Sequence, residues 1–108
     1  MEHYPDQLRP TDYRQRAAER ARVSAAGIGA AVERDISGQA GRGRAWQCVV
    51  TDGRRHGYVR VQAPDLGPHE GVAPGAVEDA IERRAQGRGI DGVLAAAPIV
   101  LSREDLGN

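Results

Sequence analysis

Residues Ala45 to Ala63, AWQCVVTDGRRHGYVRVQA, constrain this chain more than any other stretch, because strand-forming residues and a turn signal coincide there. Trp46, Cys48 and Val50 alternate with Gln47, Val49 and Thr51, and after Asp52-Gly53 the alternation resumes, with Val59, Val61 and Ala63 set against Tyr58, Arg60 and Gln62. Gly53 and Gly57 supply the positive φ values of a tight reversal, so the pattern predicts a β-hairpin whose tip falls on 52–57. Trp46, Cys48, Val50, Val59 and Val61 share its apolar face. A lone hairpin is marginal in water, so other elements have to cover that face.

The flanking segments supply the cover. Thr11 suits an N-cap, and Tyr13, Ala17, Ala21, Ala25, Ile28, Val32 and Ile36 recur at steps of three and four, which predicts a single amphipathic helix about six turns long. Ala25, Ala26, Gly27, Gly29, Ala30 and Ala31 carry little side-chain bulk, so a second helix could approach closely around Ala25, Gly27, Ile28, Gly29 and Val32. They form the expected self-association face. Residues 37–44 read as a flexible connection, and 64–74 as a proline-rich loop. Pro74 then opens a second helix running through Gln86, with acids in its first half and arginines at its end, as the helix dipole favours. Periodicity leaves 93–97 open to a helical turn. Ile99 to Leu101 read as a short edge strand begun by Pro98.

The expected fold is therefore α+β: helix, β-hairpin, helix and a short third strand, with the helices packed on one face of a small antiparallel sheet. Residues 1–10 form a flexible arm, 11–101 a single domain, and 102–108 a frayed tail, although Ser102 with Asp105 resembles a capping box. Leu, Ile and Val number 20 of 108 residues and Phe is absent, so the core must be thin. A balanced charge argues against disorder, and burial across a homodimer interface would relieve the shortage.

Every one of the 15 basic residues is Arg, as the codons of a GC-rich bacterial genome favour. Charge is uneven along the chain, about +4 over residues 1–60 and −4 over 61–108, which permits a basic face or head-to-tail attraction. A single cysteine excludes an intramolecular disulfide. The absence of a long apolar run and of a signal-like start leads to an expectation of a cytoplasmic protein that makes no membrane contact.

Chemistry-bearing residues are sparse. Arg54, Arg55 and His56 at the hairpin tip, Arg60 on its second strand, and Arg42 and Arg44 just before it make a candidate anion or nucleic-acid surface, since paired arginines reach phosphate oxygens. Cys48 falls on the apolar face and reads as a structural thiol. His3, His56, His69 and Cys48 lack the paired spacing of a zinc site, so no metal and no cofactor are expected. No residue qualifies as catalytic. Three functions follow in order: a non-catalytic interaction module, homodimeric or bound to another protein; a DNA or RNA binder using the Arg-rich hairpin; and a small enzyme or ligand-binding protein with a site near His56 and the 64–74 loop.

Overall fold

A computed structural model describes residues 10–107. The elements are α1 (Pro10–Val23), β1 (Gly29–Asp35), a single 3-10 turn at Ser37–Gln39, β2 (Arg44–Thr51), β3 (His56–Ala63), α2 (Pro74–Ala85), α3 (Gly89–Ala95) and β4 (Ile99–Val100). The expected arm lies outside the described residues except for Pro10, which opens α1 one residue before Thr11.

The hairpin forms, but its reversal is shorter than the expected 52–57: β3 already contains His56 and Gly57, and of the two tip glycines only Gly53 has a positive φ, +93°. Trp46 stands opposite Val61, Cys48 opposite Val59 and Val50 opposite Gly57, and all five apolar-face residues are buried. Asp52 shapes the tip: its Oδ1 accepts the backbone N–H groups of Arg54 (2.9 Å) and Arg55 (2.8 Å). These bonds, from Arg55 first and then Arg54, hold the Asp52 carboxyl below its ordinary range.

The α+β class holds, but the element order corrects the expectation in one respect. The long first helix is not formed: it stops at Val23, and its second half is β1, antiparallel to β2. The chain reverses over Ser24–Gly27, where Gly27 adopts φ +69°, a conformation that Cβ-bearing residues resist. Two gains then outweigh helical propensity. β1 pairs with the otherwise open edge of β2, and its small residues serve both faces of the sheet. Ala30 joins the main core while Ala31 meets Ala17 and Val49 on the other side.

The four strands lie in the order β1-β2-β3-β4. β3 and β4 run parallel, so the sheet is mixed rather than wholly antiparallel. α2 and α3 cover the Trp46 face through Val77, Ile81, Ile90 and Val93. α1 covers part of the opposite face, so the helices do not share one side. Gly29 permits that contact: a Cβ there would run into the backbone of Ala17 and Ala21. The tail is also more ordered than expected. Leu106 is buried in the core, and Asp105 accepts the Ser102 backbone N–H (2.7 Å) while Ser102 Oγ accepts that of Asp105 (3.2 Å), the reciprocal geometry of a capping box.

Among the described side chains, α1 buries little: Ala17 and Ala21 are buried, with Tyr13 packed partly against the second cluster. Each methyl contributes about 0.8 kcal/mol, too little to anchor a fourteen-residue helix. Close backbone packing on Gly29 and ion pairs to α2, which reach around the edge of β1, add to this. Arg16 bonds Glu78 Oε1 (2.7 Å), and Arg20 bonds Glu82 through two nitrogens (2.7 and 3.1 Å) and Asp79 (2.5 Å). The Glu82 contact chiefly raises the Arg20 guanidinium above its ordinary pKa, against the opposing cost of burial. The same carboxylates accept the outward N–H groups of β1, Ala30 to Glu82 (3.1 Å) and Val32 to Glu78 (2.8 Å).

Candidate functional site

The six arginine and histidine positions singled out from sequence do not form one patch. Arg54, Arg55 and His56 stand at the hairpin tip, whereas Arg42 and Arg44 lie at the other end of β2, roughly 24 Å away at strand rise. Arg44 is consumed by the fold. It bonds Asp35 (2.5 Å), Ser37 Oγ (2.8 Å) and the Glu70 carbonyl, and its guanidinium sits 5.2 Å from the Trp46 ring centroid. Arg60 is half-buried in mid-strand, with one long bond to the Gln39 carbonyl (3.4 Å) and its Nε left unpartnered. Arg42 is exposed. His56 packs edge-on against Tyr58, with centroids 6.3 Å apart.

The self-association face is likewise redistributed. Ala25 and Gly27 are exposed in the α1–β1 turn, but Ile28 and Gly29 are buried and Val32 packs on the main core. The close approach that Gly29 permits is therefore made inside the chain, α1 against β1. Burial raises the Cys48 thiol above its ordinary pKa, with the charges of Glu78 and Glu33 adding to the effect, so it stays protonated and inert. His56 and the 64–74 loop occupy opposite ends of the hairpin and share no site. Among the described residues no three His, Cys, Asp or Glu side chains are grouped to hold a metal ion.

The structure does bring together a surface that the sequence reading missed. Arg55 pairs with Asp91 at the start of α3, and Arg54, Arg55 and Arg88 flank a shallow basin there. Arg88 also lines a second, apolar groove of about 200 Å³ between α2, α3 and β4, floored by Ile81, Ala85, Val93 and Ile99. The charged residues lining this groove are Arg84 and Arg88. Asp105 Oδ2 holds Arg84 (3.0 Å), whereas the Arg88 side chain makes no hydrogen bond or ion pair with a described residue.

No protein-family profile, curated protein or solved structure matches this chain. Among the described residues no helix is long and apolar enough to cross a membrane.

The groove runs beside an open strand edge. β4 is the last strand of the sheet, and Leu101 donates its N–H to the Gln62 carbonyl (2.8 Å). In a parallel ladder that places the peptide groups of Val100 on the outer side, away from β3. Val100 is 49% exposed. Neither feature has a local sequence signal: Arg84 and Arg88 read as helix-dipole partners, and their convergence on β4 is a tertiary fact.

Proposed function

We propose that this chain is a non-catalytic interaction module that captures an extended, acidic segment of another protein along β4. The partner strand pairs with the outward peptide groups of Val100, an aliphatic side chain enters the groove, and a carboxylate reaches Arg88 and Arg84. One observation carries this reading: an open strand edge borders an apolar groove whose charged lining is wholly cationic. The size of the groove supports a peptide side chain, since about 200 Å³ is below the 300 Å³ or so at which pockets engulf a whole small ligand. Guanidinium groups stay protonated near neutral pH and so provide no group to move a proton, which favours binding over catalysis. The dispersal of Arg42, Arg44 and Arg60 away from the hairpin tip weighs against a nucleic-acid surface.

An array of random decapeptides tests the proposal. Bound peptides are expected to combine acidic residues with Val, Ile or Leu, and Arg88→Glu should weaken them by about tenfold or more. A selected set dominated by basic peptides, or one bound equally by Arg88→Glu, overturns it.

A further inference from the structure

A separate cavity opens on the other side of the molecule, beside the edge of β1. It measures about 310 Å³, within the range of small-molecule sites, and lies between the first half of α1, the end of β1 and the start of α2. Tyr13, Trp46, Val32 and Pro74 provide apolar walls. Two guanidiniums and three carboxylates line it, and both cations are engaged: Arg16 by Glu78 at 2.7 Å and Arg44 by Asp35 at 2.5 Å.

The remaining carboxylate belongs to Glu33. The register of β1 on β2 slips between Val32 and Arg34, so Glu33 is the extra residue of a β-bulge, a device that re-aims a side chain. Its side chain is only 18% exposed, yet its contacts are thin: a long bond from Gln47 Nε2 (3.4 Å) and Arg34 Nε at 4.0 Å, the latter on a side chain 60% exposed. A carboxylate this sheltered gains from a better-placed cation. The lining lacks the converging ligand set of a metal site, because Glu78 and Asp35 are committed to their arginines and Glu33 stands alone. We infer that this cavity binds a small organic monocation, a primary ammonium on an aromatic or short apolar body, with Glu33 as its counter-ion and Tyr13 and Trp46 beside the apolar part.

Trp46 is the chain's single tryptophan, so its fluorescence reports directly on the cavity. Phenethylamine is expected to give a saturable change, the neutral isostere 2-phenylethanol to bind about tenfold more weakly, and 3-phenylpropionate to give none. Glu33→Gln should lower phenethylamine affinity by about tenfold with an unchanged thermal midpoint, whereas Arg88→Glu should leave it unchanged. The inference is overturned if no saturable change occurs, or if the alcohol binds as tightly as the amine. The comparison of the three ligands on the wild-type chain decides the matter even should Glu33→Gln fail to fold.

Discussion

The sheet has two edges, and the chain treats them in opposite ways. β1, seven residues long, has outward N–H groups closed by carboxylates: Glu82 takes Ala30 and Glu78 takes Val32, with Arg20 and Arg16 of α1 balancing the charge. β4 has two residues, and the outward side of Val100 is left open next to an apolar groove. A long exposed edge is a template for uncontrolled pairing, while a very short one supports pairing only with a partner that brings further contacts. Closure of β1 blocks that edge against indiscriminate pairing, whereas the brevity of β4 limits pairing there to a strand that brings further contacts, as the proposed capture requires.

Breaking the closed edge should have the largest effect. Glu78 is 1% exposed, and Glu78→Ala removes the acceptor for Val32 while leaving Arg16 without its partner. A loss of about 3 kcal/mol in urea denaturation is expected, together with concentration-dependent association as β1 becomes available. Glu78→Gln retains an acceptor and should cost less. A Glu78→Ala variant within about 0.5 kcal/mol of wild type would show that the edge needs no such closure.

Gly29→Ala attacks the same edge from the other face. The added methyl meets the backbone of Ala17 and Ala21, which no side-chain rotation relieves, so α1 has to shift away from β1. About 2 kcal/mol is expected, with amide shifts concentrated in α1 and β1. Unchanged shifts in α1 would mean that the helix is not seated on Gly29.

These two sites also show how far the sequence could be read. The hairpin, the buried set from Trp46 to Val61, the start of α2 at Pro74 and the strand at Ile99 were legible because each rests on local alternation or local backbone chemistry. Residues Gly29 to Asp35 were not, since Val32, with Ile28 before it and Ile36 after it, continues the helical stripe of α1 as well as it fits a strand. The choice between them is made by pairing with β2, whose partner residues lie from 11 (Asp35 with Trp46) to 22 (Gly29 with Thr51) positions away in the chain. Gly27 and Gly29 are the available signal, because two glycines inside a helical stripe are compatible with close packing and equally with the end of the helix. The roles of Glu78, Glu82 and Arg88 were hidden for a related reason: two acids on α2 and an arginine just past its end explain themselves locally through the helix dipole, and the strand beside which each one lies is set only by the fold.

At the open edge, the tail that anchors the groove gives a smaller, pH-dependent effect. The Ser102 backbone N–H first, with the Ser102 hydroxyl and Arg84, holds the Asp105 carboxyl below its ordinary range. A lowered folded-state pKa stabilises the native chain above the ordinary carboxylate value, and that contribution is lost as pH falls through the lowered one. Asp105→Asn should therefore cost about 1 kcal/mol at pH 7, and the difference from wild type should shrink in chemical denaturation run toward pH 3 and below. A difference that stays constant over this range would remove Asp105 from the acid limb.

Arg88→Glu should change stability least and so sharpens the comparison most. Its side chain is exposed and makes no bond to a described residue, so the denaturation midpoint should stay within about 0.5 kcal/mol of wild type. Binding should nevertheless respond strongly, because the substitution places a carboxylate where the proposed ligand presents its own. The two edges thus predict opposite patterns, stability lost with Glu78 and recognition lost with Arg88. If Arg88→Glu instead unfolds the chain, Arg88 belongs to the framework, and the groove loses the one cation left over for a partner.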